Sequence, residues 1–263
     1  MRVLITGGAS GLGRALALHW AAQGARVAIA DIQAGDAVVA EIEAAGGQGL
    51  CLPCDVTEEA SLAQVAQQLK QNWGGLDLLV CNAGVASAGT LEQEPIDQWR
   101  WVMEINLLGV VRSCRALVPL LGPGGQVLNI ASQAGLNPMP RMGSYSAVKA
   151  AVVSFSETLA LELANREISV SVACPAFFKT GLDRSLRSPD PAMAAVLQRL
   201  FAKAPLSAEQ VAEAIAQGVA QRRFLILPHS AGRKAYWLKR LLPWRGYLGL
   251  MLKQTARLRE LGS

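Results

Sequence analysis

The 263-residue chain reads as an α/β protein: a single doubly wound domain with a parallel sheet of about seven strands and helices on both faces. Three observations predict this. Seven short apolar runs alternate with longer helix-like segments, the βαβα rhythm of parallel strands joined by right-handed crossovers. The runs are continuously apolar rather than alternating, as strands covered on both faces are. No repeat or low-complexity linker interrupts them, which favours one domain at a length that permits one or two. With 51% hydrophobic and 17% charged residues, the chain has the means to bury a sizeable core, and global disorder is excluded.

"RVLIT" (2–6) is the first strand, and "TGGASGLG" (6–13) carries it into a helical stretch, 11–24. Gly7, Gly11 and Gly13 permit a tight turn and the close approach of a pyrophosphate to the helix N-terminus, a Rossmann-type arrangement. "RVAIAD" (26–31) is the second strand; its final residue, Asp31, is placed to accept hydrogen bonds from an adenosine ribose. The same carboxylate repels a 2′-phosphate and Ile32 offers no offsetting charge, so NAD is expected ahead of NADP, with Arg14 leaving NADP open. The plainer alternative is that the glycines make an ordinary turn and Asp31 caps a helix.

The rhythm continues with a helix at 35–46, "GLCLPCD" (49–55) as a strand, a helix at 58–73, and "LDLLVCN" (76–82) as a strand. A helix at 97–121 leads to the strand "GQVLNIAS" (125–132), and a helix at 143–166 leads to the strand "ISVSVACP" (168–175). Residues 176–206 then break the pattern, starting as loop and ending as a short helix. A long insert after a strand's carboxyl end is where a lid over a ligand crevice belongs. A helix at 207–221 and the strand "RFLILP" (223–228) close a domain spanning 1–229.

The five cysteines are scattered and odd in number, which argues against a disulfide framework; "CLPC" on a strand points its two thiols to opposite faces. His19 and His229 have no partner at metal spacing, and no metal site is readable. No run of about 18 apolar residues forms a spanning helix. "MRVLITGG" turns glycine-rich too early for a signal peptide, so a cytoplasmic protein is expected.

Charge is unevenly distributed. Residues 1–229 hold 17 Lys/Arg against 19 Asp/Glu, whereas 230–263 hold 8 Lys/Arg against Glu260 alone. In this extension Tyr236, Trp237, Leu241, Leu242, Trp244, Tyr247, Leu248 and Leu250 interleave with Lys234, Lys239, Arg240 and Arg245. A broken amphipathic helix of that composition suits the inner, anionic face of a membrane, as a peripheral contact. It equally suits packing on the substrate crevice or a partner subunit, with its cations facing water. No nucleic-acid fold accompanies it, so nucleic acid is not expected as a partner.

"SYSAVKA" (144–150) places Tyr145 and Lys149 one helical turn apart on a single face. A phenol ionises near pH 10 and is inert at neutral pH unless its environment changes. Together with "TGGASGLG", "CDV" (54–56), "NAG" (82–84), "INLLG" (105–109), "IAS" (130–132) and "YSAVK" (145–149), this set resembles the short-chain dehydrogenase/reductase family, in its order and spacing, over about residues 1–180. The glycine spacing resembles the compact branch of that family, and Pro175-Ala176 departs from the Pro-Gly that many members carry.

The resemblance implies an NAD(P)-dependent oxidoreductase acting on CH–OH groups, with Asn106, Ser132, Tyr145 and Lys149 as its catalytic tetrad. It implies that Asp55 and Val56 meet the adenine, that Asn82, Ala83 and Gly84 line the adenosine side and support the fourth strand, and that Thr180 sits near the nicotinamide. Ser10, Leu12 and Pro175 complete the implied cofactor contacts, with Tyr145 and Lys149 reaching the nicotinamide ribose. It further implies a homodimer or homotetramer pairing through 97–121 and 143–166.

The chemistry agrees with these roles. Hydride transfer from an alcohol requires a base for the hydroxyl proton. Moving a phenol from about 10 to about 7 takes roughly 4 kcal/mol, and a unit charge about 4 Å away supplies about that at an effective dielectric near 20. Lys149 is thus expected to provide most of the shift, Ser132 to orient the substrate oxygen, and Asn106 to anchor a water. Taken singly, Ser132 could end a strand, Asn106 could satisfy buried backbone, and Lys149 could be solvated. Leu136, Met139, Met142, Phe177, Phe178 and Leu182 are the candidate pocket, whose apolar character suggests a steroid-, retinoid- or lipid-like alcohol or ketone.

Overall fold

The computed structural model describes residues 1–259. Its sheet has seven parallel strands in the order β3-β2-β1-β4-β5-β6-β7. The strands are β1 (Arg2–Thr6), β2 (Arg26–Asp31), β3 (Gln48–Pro53), β4 (Leu76–Cys81), β5 (Leu121–Ile130), β6 (Ser169–Ala173) and β7 (Leu225–Ile226). The helices up to β6 are α1 (Gly11–Ala21), α2 (Asp36–Ala44), α3 (Glu59–Trp73), α4 (Ile96–Met103), α5 (Gly109–Leu117), α6 (Gln133–Leu136) and α7 (Gly143–Leu163). After them come α8 (Pro191–Ala202), α9 (Ala208–Ala220), α10 (Ser230–Leu241), α11 (Trp244–Gln254) and α12 (Ala256–Arg259).

Alternate strand residues supply two cores. Val3, Ile5, Val27, Ile29, Leu78 and Val80 pack under α1 and α9, while Leu4, Ala28, Leu79 and Val127 pack under α3, α5 and α7. Each fully buried aliphatic side chain stabilises the fold by about 1.5–3 kcal/mol. Covering both faces is what makes the strands continuously apolar. It also sends Cys51 toward one core and Cys54 into the other, and all five thiols are free.

The strand order reverses between β1 and β4, so the loops leaving their carboxyl ends diverge and open a crevice. Thr6 ties the two strands at this point. Its hydroxyl oxygen accepts hydrogen bonds from the backbone N–H groups of Asn82 (3.0 Å) and Ala83 (3.2 Å), and the Asn82 amide donates to the carbonyls of Thr6 and Gly7.

Four features differ from the sequence reading. The expected helix 97–121 is α4 and α5 joined by a π-helical segment, Glu104–Leu108, and it ends before β5 begins at Leu121. The unexpected α6 forms because the Ser132 hydroxyl accepts the Ala134 N–H at 3.1 Å. β7 is cut to two residues. The described part of the extension, 230–259, folds as three helices; Pro243, whose fixed ring disrupts a helix interior, lies between α10 and α11.

Candidate active site

A cleft of about 1050 Å³ opens over the carboxyl ends of the strands and brings together most of the residues singled out by sequence. Gly7, Ser10, Gly11, Leu12, Asp31, Asp55, Val56, Asn82, Ala83 and Gly84 line one end. Ser132, Tyr145, Lys149, Pro175 and Thr180 line the other. Gly13 and Asn106 stand behind the wall rather than in it, and Leu136 turns away toward the core.

At the first end, the geometry fits a dinucleotide. Gly7 has φ +65°, and a Cβ on Gly13 would lie 2.1 Å from the Gly7 carbonyl oxygen, so side chains there would push the turn apart. Ser10 makes no side-chain cap, which leaves the first N–H groups of α1 directed at the cleft as an anion site. The Asp31 carboxylate, buried at the tip of β2, accepts the N–H groups of Ala9 and Gln33, both at 2.9 Å. Beside it Ile32 is 75% exposed. Arg14 does not reach toward that position: it pairs with Glu41 at 2.6 Å. One Asp55 oxygen caps the turn at Thr57.

At the second end, Tyr145 and Lys149 are both buried on α7. Burial pushes the Tyr145 phenol up to about 12, and the Ser132 hydroxyl beside it offsets part of that rise. Burial pulls the Lys149 ammonium down to about 8. Lys149 Nζ donates to the Ile130 carbonyl at 2.9 Å and stands 5.8 Å from the Tyr145 ring. Bringing the phenol from about 12 to about 7 takes about 7 kcal/mol, and a unit charge about 6 Å away supplies about 3. Burial thus makes the phenolate costlier to form than that of an exposed tyrosine, and the Lys149 charge offsets part of that cost.

Asn106 is fully buried in the π-helical segment, and its amide is committed to the chain: Oδ1 accepts the Val85 N–H at 2.8 Å and Nδ2 donates to the Val85 carbonyl at 2.9 Å. Its side chain thus holds the loop after β4. His229 is also positional; its Nδ1 accepts the Ala176 N–H at 3.2 Å, and burial keeps its pKa below the ordinary value.

The apolar wall of the cleft contains Met139, Met142, Phe177, Phe178 and Leu182, together with Trp101, Leu197 and Phe201. Phe177 and Phe201 meet edge to face at 5.2 Å, joining the segment after β6 to α8. Buried Arg141 and Asp190 form an ion pair, and Asp190 also caps α8. The Arg187 guanidinium lies 3.9 Å over the Trp101 ring, and Gln98 donates to the Arg187 carbonyl at 3.0 Å. Behind this wall Glu94 accepts from Ser87, Ser144 and Gln98 in a buried cluster next to Tyr145. Sequence reasoning missed Thr6, Gln133, Asn137 and this cluster. Only Thr6 carried a usable signal, as the polar residue ending an apolar strand. Among the described residues no group of three or more His, Cys, Asp or Glu could hold a metal.

The family model described as short chain dehydrogenase matches residues 1–191. A 3-oxoacyl-[acyl-carrier-protein] reductase of Synechocystis is 35% identical over 190 residues, covering 70% of this chain and 77% of the relative. A 3beta-hydroxysteroid dehydrogenase of Mediterraneibacter gnavus is 36% identical over 184 residues, covering 68% and 67%. The crystal structure of a short-chain dehydrogenase/reductase from Burkholderia phymatum with NAD superposes with a TM-score of 0.85 at 33% identity, over 91% of this chain and 92% of that one. One from Burkholderia cenocepacia with NADP gives 0.74 at 30% identity, over 86% and 95%.

Proposed function

The chain belongs to the short-chain dehydrogenase family of NAD(P)-dependent oxidoreductases acting on CH–OH groups, and from that premise we propose that it interconverts an apolar secondary alcohol and its ketone with NAD(H). The observation that carries the reading is the convergence of Ser132, Tyr145 and Lys149 on one end of a cleft whose other wall is apolar. When bound, the nicotinamide supplies or accepts the hydride.

The remaining steps belong to this chain's residues. Ser132 holds the substrate oxygen beside Tyr145. In reduction the phenol, protonated at neutral pH, gives its proton to the carbonyl oxygen as the hydride reaches the carbon. In oxidation the phenolate takes the hydroxyl proton, and the Lys149 charge lowers the cost of forming it. Asp31, Ile32 and the engaged Arg14 support NAD over NADP, because the Asp31 carboxylate repels a 2′-phosphate and Arg14 is held by Glu41.

In this proposal residues 1–229 are the catalytic unit, 176–206 its lid, and 230–263 an added basic element. Exposed Met103 and Leu161, on α4 and α7, support pairing of copies through those helices. The test is a panel of apolar alcohols and ketones with both cofactors, run on the native chain and on Tyr145→Phe. Turnover should vanish in the variant while NADH fluorescence still reports binding; retained turnover would end the assignment.

A further inference from the structure

We propose that the outer face of α10 and α11 docks on an anionic phospholipid surface. The inner face of these helices is anchored to the body. Asn137 donates to the Ala235 carbonyl at 3.1 Å and to the Tyr247 hydroxyl at 3.2 Å, Gln133 donates to the Gly232 carbonyl at 3.2 Å, and Lys239 donates to the Leu136 carbonyl. Tyr247 is buried. The extension is therefore a folded ledge, and its outward residues are held there by structure.

Those residues are unusual for a water-facing surface. Trp237 is 57% exposed, Leu241 76% and Trp244 66%, and Leu238 and Leu248 are exposed beside them. Trp237 and Leu241 are one helical turn apart on α10, as are Trp244 and Leu248 on α11, so each helix shows an apolar stripe. Clustered exposed apolar residues of this size mark an interaction surface.

Charge selects the partner. Residues 230–263 carry eight Lys/Arg against Glu260, while the rest of the chain has slightly more acids than bases. Lys234, Arg245 and Lys253 are exposed, and Lys234 lies three residues before Trp237 on the same face. A second copy of this like-charged surface is repelled, whereas an anionic headgroup layer takes the cations and lets the Trp and Leu side chains enter the acyl boundary. Among the described residues no helix is long and apolar enough to cross a bilayer, so the contact is peripheral.

The ledge also adjoins the cleft. Met139 lines both the cleft and a groove of about 350 Å³ bounded by Pro138, Pro140, Trp244, Tyr247 and Leu248. Docking would bring the cleft's apolar wall close to the lipid. That consequence rests on the proposed apolar substrate; the docking itself does not.

The test is flotation of the full chain with vesicles of phosphatidylcholine alone and of equal parts phosphatidylcholine and phosphatidylglycerol. The chain should rise with the mixed vesicles and not with the neutral ones. The combined Trp237→Glu, Leu241→Glu, Trp244→Glu variant should stay at the bottom while keeping native circular dichroism and NADH binding. In a second variant, Lys234→Gln, Arg245→Gln and Lys253→Gln should each weaken partitioning about fivefold, roughly a hundredfold together. Failure to float, equal flotation with neutral vesicles, or undiminished flotation of the glutamate variant would overturn the proposal. A smaller oligomeric mass in that variant would assign the face to a second copy. Failure to float combined with binding of a mixed-sequence RNA would assign the charge to nucleic acid. Because NADH binding is read separately, none of these results bears on the proposed reaction.

Discussion

Replacing Lys149 by methionine isolates the electrostatic share of the proton transfer. The ammonium lies 5.8 Å from the Tyr145 ring, and burial has pushed the phenol up to about 12. Taken at the ring-centroid distance of about 6 Å, a unit charge is worth about 3 kcal/mol to the phenolate at an effective dielectric near 20. Its loss should cut kcat/KM for alcohol oxidation about a hundredfold at neutral pH. It should also move the ascending limb of the pH–rate profile upward by about two pH units, since the phenol must then ionise unaided. Reduction needs the protonated phenol and should suffer less. The assay is steady-state oxidation and reduction across the neutral and alkaline range, with NADH affinity measured in parallel by fluorescence. A limb that stays in place while NADH affinity falls would refute the reasoning and leave Lys149 with a purely cofactor-holding role.

The same residue makes a stability prediction. Its folded pKa of about 8 lies below the ordinary 10.5, so the unfolded chain binds that proton more tightly. The stability contribution is therefore present above 10.5 and lost as pH falls to about 8, by roughly 3 kcal/mol. Urea titrations should show that slope in the native chain and lack it in Lys149→Met; equal slopes would mean a solvated ammonium. Asp31→Ser should lower the NADH-to-NADPH ratio of kcat/KM at least about tenfold, a difference of about 1.4 kcal/mol, and an unchanged ratio would exclude the carboxylate as the selector. Asp190→Ala removes the acid paired with buried Arg141 together with the cap of α8. It should cost about 4 kcal/mol in urea unfolding; a near-neutral result would show that the lid is held elsewhere.

What could be read from sequence follows how local each signal is. The strands were legible because two covered faces demand unbroken apolar runs. β5 was misplaced because "LGPGGQ" (121–126) has the composition of a loop, yet its first residue pairs with β4 across a register irregularity between Leu76 and Leu78. α6 spans four residues, less than any periodicity can register. Gly7, Gly13 and Asp31 were readable because a phosphate turn and the strand after it lie close in the chain. The Glu94 cluster was not, since Ser144 lies 50 residues from Glu94 and neither has a neighbour that announces it. The spacing of Tyr145 and Lys149 fixed their common face. It could not fix where Nζ goes, which the Ile130 carbonyl decides.

α6 explains why the chemistry was readable while the substrate was not. Ser132 begins this helix as its cap. The next residue, Gln133, takes the Pro175 carbonyl with its N–H at 2.9 Å and the Gly232 carbonyl with its side chain. The serine, the start of the lid and the C-terminal ledge therefore meet on one short helix. Tyr145, Lys149 and Asp31 sit on α7 or at a strand end, where sheet pairing and core packing leave few alternatives. Phe177, Phe178, Leu182, Leu197 and Phe201 sit on segments that follow β6, outside the sheet and joined to it by a few local bonds. Such segments tolerate change in length and composition without disturbing the sheet. A substitution in the lid or ledge should therefore alter which carbonyl reaches Ser132 while leaving the Tyr145–Lys149 geometry in place.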